Sequence, residues 1–375
     1  MLRSTIVVIL FTFLTLGCEI SQGTNIDNII LNGEKKQVNI NHKKLDSLKV
    51  LLDDSFIYMN TELAGNTGGP TYYRHYFDSD EVVKIGNINN LLVETRFSAL
   101  VGNVLFFHVG IDSDSITGFD TVLYGINLDT NQLRVYSKDD EAAPITADYR
   151  HNGKLISLMR GNTNKDADIM RFWFKLFDEK SGTVEKKREW TYDRVNKKGS
   201  IILNFCISDG KIYALVQDGD GSGKLITSIK VYDDGINLLR TINIDQVHDY
   251  IMSLAGGEIV VFGDFIFMHN YSNDGLIGQI ENDTVKPLFQ ARELELATNQ
   301  FKYDMPVFYI RGTNKGYLLD IHNKSLKEFS LEMPSGYYIT YGLSTNDYFL
   351  FLLRAEGRND LVYLYQYQCI RQIKR

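Results

Sequence analysis

The sequence predicts an all-β chain folded as a β-propeller, most simply of seven four-stranded blades. Three observations carry that prediction. A tight turn followed by an apolar run recurs seven times, and successive copies start roughly 40 to 57 residues apart, the period of a four-stranded propeller blade. The composition is that of strands, with 22 Tyr, 21 Phe and only 5 Pro in 375 residues; aromatic and β-branched side chains suit a pleated surface. Finally, a lone sheet of this size cannot hide its apolar faces, whereas sheets packed radially bury them against their neighbours. Two stacked β-sandwiches, the rival architecture, do not demand so regular a spacing.

In chain order the turn and its strand read Asp53-Asp54 before Phe56 to Asn60, Gly102-Asn103 before Val104 to Val109, and Asn152-Gly153 before Leu155 to Arg160. Asp209-Gly210 then precedes Ile212 to Gln217, and Gly263-Asp264 precedes Phe265 to Asn270. The last two copies are Asp304-Met305-Pro306 with Val307 to Arg311, and Asn346-Asp347 with Tyr348 to Arg354. Asn-Gly and Asp-Gly between apolar runs favour hairpin turns because both central residues tolerate positive φ. A polar loop and a second strand follow each copy, as in Tyr72 to Phe77, Val122 to Leu128, Phe172 to Phe177 and Val362 to Tyr367. An outer strand completes most units, for example Leu133 to Tyr136, Val184 to Lys187, Leu238 to Ile242, Val285 to Phe289 and Leu326 to Phe329. The first unit carries an irregular Gly65 to Pro70 insert and the sixth is short, so six or eight blades are the alternatives. Lys36 to Asn41 alternates well enough to add a strand that closes the ring.

The first residues set an address. Met1-Leu2-Arg3 is a short positive start and Ser4 to Leu16 is almost wholly apolar, the layout of a secretory signal and shorter than the roughly 20 residues a membrane helix needs. Its ending, Leu14-Thr15-Leu16-Gly17-Cys18, resembles the bacterial lipobox, with departures at Thr15 and Leu16. The resemblance implies cleavage after residue 17 and lipidation of Cys18, with residues 18–35 as a polar tether and residues 36–375 as the propeller. The protein is then expected in the bacterial cell envelope, extracytoplasmic and lipid-anchored. With this leader and the blade rhythm together, the chain resembles bacterial envelope lipoproteins with a TolB-like or related repeat-propeller body. No repeated Trp-Asp pair, kelch double glycine or quinoprotein signature accompanies the rhythm, so the resemblance implies no residue roles beyond Cys18.

Acids exceed bases, 47 to 40, for a net charge of −7, and no Lys/Arg-rich block is present. That balance argues against a nucleic-acid partner. Cys206 and Cys369 lie far apart in the repeat scheme and are expected as two buried thiols.

Repeat registration yields one site expectation. The last residue of the turn-adjacent strand forms a column, Asn60, Val109, Arg160, Gln217, Asn270, Arg311 and Arg354, polar in six units of seven. These residues should ring one rim, where the three arginines suit a carboxylate, phosphate or acidic peptide; the alternative is that each arginine pairs with an acidic neighbour. The adjoining loops are acidic, with Asp112, Asp114 and Asp120, then Asn162, Asn164, Asp166 and Asp168. Asp218-Gly219-Asp220-Gly221-Ser222-Gly223 resembles the start of a calcium loop, with Asp218, Asp220 and Ser222 as oxygen donors for a structural calcium, although Ile229 stands where a closing acid belongs. Tyr72, Tyr73, Phe119, Tyr271 and Tyr337 are expected in loops. His108 and His269 occupy equivalent strand ends and could meet across the channel mouth.

No nucleophile elbow, phosphate loop, His-Glu-x-x-His or Cys-x-x-Cys occurs. The reading preferred from sequence is a non-catalytic binding or scaffold module for a peptide, glycan or envelope protein. The alternative is a propeller enzyme, a glycan hydrolase, lyase or esterase, using one face.

Overall fold

A computed structural model describes residues 35–38, 47–60, 69–89, 91–94, 99–112, 119–139, 142–144, 149–161, 168–244, 258–270, 274–297, 306–345 and 348–366. The signal, Cys18, most of the tether, Tyr271 and Cys369 lie outside the described residues.

The first strand is β1 (Lys35–Val38), and the rest sort into antiparallel groups, of which groups three, four and five run together as one sheet, linked by Tyr192↔Gly199 and Asp193↔Lys198 and by a parallel pairing of Asn243 with Thr284. Group one is β2 (Ser47–Leu51), β3 (Ser55–Asn60), β4 (Thr71–Tyr76) and β5 (Val82–Asn87). In group two, β6 (Leu91–Glu94) and β7 (Ala99–Val101) both pair with β8 (Val104–Asp112), followed by β9 (Phe119–Asn127) and β10 (Gln132–Asp139). Group three likewise sets β11 (Ala142–Pro144) and β12 (Tyr149–His151) on β13 (Lys154–Gly161), then β14 (Ile169–Asp178) and β15 (Thr183–Asp193). Group four is β16 (Lys198–Ser208), β17 (Lys211–Asp220), β18 (Leu225–Tyr232) and β19 (Leu238–Asn243). Group five is β20 (Glu258–Phe262), β21 (Phe265–His269), β22 (Asp274–Glu281) and β23 (Thr284–Arg292). Group six is β24 (Leu294–Leu296), β25 (Val307–Ile310), β26 (Lys315–Asp320) and β27 (Ser325–Ser330). Group seven is β28 (Tyr338–Ser344), β29 (Tyr348–Arg354) and β30 (Leu361–Gln366), with β1 as its outer strand.

Burial explains why these segments are strands and how they stack. Apolar side chains on both faces of a strand need cover on both sides, and each core cluster supplies it by joining two consecutive groups. Phe107 and Val109 of group two meet Ile57 and Tyr72 of group one, and Phe106 meets Leu155 and Phe177 of group three. Phe174 meets Phe205 and Tyr232 of group four, and Leu215 and Ile229 meet Ile266 and Met268 of group five. Phe267 meets Phe308 of group six, Tyr309 meets Phe351 of group seven, and Leu350 and Val362 return to Phe56 and Tyr58 of group one. The chain of contacts ends where it began, and the molecule is an all-β propeller. Burying each such aromatic stabilises by about 1.5–3 kcal/mol.

The outer strands carry the solvent. Most residues of β15 and β19 are exposed, which is why charged residues are tolerated there. Bulges interrupt the third-to-outer pairing at Tyr72/Tyr73, Val135/Ser137, Trp173/Phe174, Val231/Tyr232 and Ile277/Gly278. A bulge raises local twist, and its recurrence at one place lets the groups fan.

The closing strand expected from Lys36 to Asn41 is β1, shifted to 35–38 and paired antiparallel with β30 from Lys35↔Tyr365 to Val38↔Val362. Sequence patterning located the second, third and outer strands but not the inner one. Several inner strands are short or broken, as in β6 with β7, β11 with β12, and the three-residue β24, and so give little periodicity to read; the eleven-residue β16 lacks clean alternation.

Candidate functional site

The column residues share one face of the propeller, termed the upper face. Each closes or nearly closes its group's second strand, and the inner strands start beside them: Ser47 opposite Met59, Glu258 opposite His269, and Tyr338 opposite Arg354. Chemically, the column is not one ring of free cations. Arg311 donates through Nε to Glu293 Oε2 at 2.7 Å, its Nη2 pairs with the same oxygen, and its Nη1 lies 4.0 Å from Glu295. Arg354 Nε donates to Asp360 Oδ2 at 3.3 Å. Arg160 is exposed and has no ion pair among the described residues. Asn60 and Asn270 are buried, and Asn270 Oδ1 accepts from the Asp274 N–H at 2.9 Å. Gln217 Nε2 donates to Thr227 Oγ1 at 3.3 Å, and Val109 belongs to the core. Two of the three arginines therefore follow the pairing alternative.

The calcium-like loop is bound up internally. Asp218 sits 2.7 Å from Lys230 Nζ and accepts from Ser200 Oγ at 2.6 Å, so an ammonium stands beside the carboxylate that a cation would need. Asp220 Oδ1 accepts the Ser222 N–H at 2.7 Å, and hydrogen bonds from the Ser222 side chain first and this N–H second hold its carboxyl below the ordinary range. Among the described residues no three His, Cys, Asp or Glu side chains converge as a metal site. Asp120 pairs with Lys138 at 2.6 Å; Asp114, Asn162, Asn164 and Asp166 lie outside the described residues.

Three aromatic expectations are corrected, since Phe119 opens β9 rather than lying in a loop. Tyr72 and Tyr73 are buried residues of β4, because both faces of that strand meet neighbouring groups. Tyr337 is half-buried and donates from its hydroxyl to Asn359 O at 3.2 Å, with Arg358 over its ring. His108 is buried within β8, opposite Leu123.

His269 has acidic company instead. Its Nε2 lies 3.5 Å from Glu295 Oε1 across the seam between groups five and six, and Glu258 is its direct cross-strand neighbour. Both carboxylates are almost fully buried, Glu258 at 8% and Glu295 at 5% exposure. Buried acids need charged or hydrogen-bonding partners, and Glu295 has His269 Nε2 at 3.5 Å and Arg311 Nη1 at 4.0 Å. Sequence reasoning missed Glu258, Glu293 and Glu295; the signal was a carboxylate alternating with apolar residues in Leu294-Glu295-Leu296. Cys206 is a buried free thiol, pushed up to about 12 by burial.

The fold has known counterparts. The chain is similar to the β-propeller domain of the Trilobed protease from Pyrococcus furiosus, at 11% identity over 86% of this chain and 92% of that one, with a TM-score of 0.52. It is also similar to the acylaminoacyl peptidase of Pyrococcus horikoshii, at 12% identity over 86% of this chain and 52% of that one, TM-score 0.54. A third structure is acylaminoacyl peptidase in complex with Z-Gly-Gly-Phe-chloromethyl ketone, at 11% identity, 86% and 51% coverage and TM-score 0.54. This chain spans about half the length of those two peptidase chains. At such identities the likeness is one of fold alone. The Trilobed protease propeller is described as having an open velcro topology, whereas here β1 pairs with β30. No protein family profile matches the chain, and no curated protein matches its sequence.

Proposed function

We propose that this chain is a non-catalytic binding module of the bacterial envelope, a seven-bladed propeller held to a membrane by lipid on Cys18, whose upper face holds a peptide, glycan or envelope protein. The observation that carries this reading is the direction of β1. Lys35 pairs with Tyr365 at the lower face and Val38 with Val362 nearer the upper one, so a tether preceding residue 35 reaches the propeller from below. The upper face then looks away from the bilayer. Some of its charged groups are held in fixed pairs, with Arg311 on Glu293, Arg354 on Asp360 and Lys230 on Asp218, and preorganised polar groups favour recognition because little order is lost on binding.

The test has two arms. Growing the host with labelled palmitate should label the wild-type chain and leave Cys18→Ala unlabelled and released from membranes. Cross-linking from the upper face, with a photoreactive residue in place of Arg160, should capture a discrete envelope component that the same residue in place of Lys324 does not. An unlabelled, membrane-free chain removes the anchor, and equal capture at both positions removes the face.

A catalytic reading has one supporting feature, His269 between Glu258 and Glu295, an arrangement suited to proton transfer. Hydrolysis of p-nitrophenyl glycosides or esters by the wild type, lost in Glu295→Gln, would move the assignment to an enzyme.

A further inference from the structure

On the upper face, groups three and four are joined by backbone pairing. The ends of β15 and β16 continue as a hairpin, Tyr192↔Gly199 and Asp193↔Lys198, and β16 carries the ladder on to β17 through Gly199↔Gly219 and Lys198↔Asp220. The result is a crest with two tips, the 194–197 turn and the 221–224 loop. Backbone packs on backbone there: Gly199 has φ +112 and a Cβ would lie 2.1 Å from Thr191 O, while a Cβ on Gly219 would lie 2.3 Å from Lys197 O. The Gly221 N–H donates to Lys197 O at 3.1 Å and ties the tips together. Asp193 Oδ1 accepts from the N–H groups of Val195 and Asn196, both at 2.9 Å, which fixes the turn.

This rigid crest holds out what a folded chain normally hides. Val195 is 66% exposed and Ile226, at the foot of the second tip, 54%. Around them Arg194, Lys197, Lys198 and Lys224 are exposed, and the three lysines form no ion pair among the described residues. The acids of the two tips are turned onto their own turns, Asp193 onto the Val195 and Asn196 N–H groups and the Asn196 amide, and Asp220 onto Ser222 with Lys224 acting on it at longer range. In a chain of net charge −7, this is a local cationic surplus with aliphatic tips.

We propose that the crest is the docking surface for a protein segment bearing carboxylates and aliphatic side chains. The inference rests on the binding-module reading and names the partner's chemistry. Lysines beside Val195 and Ile226 complement a segment that brings both negative charge and apolar side chains. A polyanionic glycan would leave the aliphatic tips unmatched, and the bilayer lies on the side from which β1 is tethered.

The probe is a phage-displayed library of random 12-residue peptides, panned against the full chain in detergent. The expected result is enrichment of sequences combining Asp or Glu with Ile, Leu or Val, with recovery falling at least tenfold on the triple variant Lys197→Glu, Lys198→Glu, Lys224→Glu. Val195→Asp, at an exposed turn, should lower recovery as well and serves as the readout if the triple variant unfolds. No such enrichment, or enrichment unchanged by these substitutions, overturns the proposal. So does crest-dependent retention by heparin or by phosphatidylglycerol vesicles in place of peptides. Palmitate labelling of Cys18 is independent of every arm, so loss of the anchor and loss of the crest assignment are separately visible.

Discussion

Arg311 grips Glu293 with two guanidinium nitrogens on one carboxylate oxygen, and its third nitrogen faces Glu295 across 4.0 Å. A side chain so engaged acts first on the fold. Arg311→Ala should destabilise the chain by about 1 kcal/mol, the scale of a partly exposed charge-assisted hydrogen bond, seen as a lowered denaturation midpoint. Arg160→Ala, at an exposed position without an ion pair among the described residues, should leave the midpoint unchanged.

Arg74 ties group one to group two. Buried in β4, it donates to Ser55 Oγ at 2.8 Å, pairs with Asp54 at 3.2 Å, and reaches into group two to Leu128 O at 2.5 Å and Asn131 Oδ1 at 3.1 Å. Lysine cannot reproduce that planar fork. Arg74→Lys should lose about 2–3 kcal/mol through orphaned partners, measured by urea unfolding, with the unfolding slope unchanged.

Burial of Cys206 gives a pH dependence of known sign. Its thiol stays protonated in the folded chain up to about 12, while an exposed thiol ionises near 8.5. The unfolded chain therefore holds fewer protons above pH 9, and stability contributed by this group falls between about pH 9 and 12. The native chain should resist a thiol reagent at pH 8 at position 206 and react once unfolded. Cys206→Val should make the alkaline decline shallower, with the buried tyrosines Tyr58, Tyr213 and Tyr232, whose values are also raised, accounting for the remainder.

Acid acts on the turns. Hydrogen bonds from Asn196 to Asp193, from Ser222 to Asp220 and from Asn237 to Asp233 hold these carboxyls below the ordinary range. Their support is complete above the unfolded value near 4 and is lost as pH falls through the lower folded value. Protection of the Val195, Asn196 and Ser222 amides, taken relative to the intrinsic exchange rate at each pH, should fall below pH 4 before that of the core strands.

Chelation should have no effect at the Asp218 loop. Lys230 and Ser200 already satisfy that carboxylate, so the melting temperature in calcium and in chelator should coincide. A rise with calcium would mean the ion displaces the lysine.

The repeat was legible because turn chemistry and strand hydrophobicity recur together; Asn152-Gly153 and Asp209-Gly210 both take positive φ in their turns. The upper face was legible for the same reason, since registration alone aligned Arg160, Arg311 and Arg354. Their partners were not. Glu295 comes from the inner strand of group six and Glu293 from the turn just before it, and which carboxylate meets which arginine is decided by pairing register, as in Leu294↔Ile310. Tyr72 and Tyr73 illustrate the converse: the strand from Tyr72 to Phe77 was legible, but the expectation that its first two rings lie in loops was wrong, since neighbouring groups cover both faces of β4. The crest was missed because β16 has no clean alternation, and its extension depends on backbone contacts at Gly199 and Gly219 that side-chain patterning does not register.

The seal between β1 and β30 has a consequence for biogenesis. Tyr363 and Gln37 touch across a separation of 326 residues, and Val38 is buried against Leu350, Leu352 and Val362 of the far end. During synthesis or export the earliest strand must wait, solvated and unpaired, until nearly the whole polypeptide has emerged. Ring completion is therefore a late, long-loop step, slow by topology and open to aggregation while it lasts. A nascent chain stalled before Leu361 should remain sensitive to protease within its leading segment, and release of the last strand should be what confers resistance.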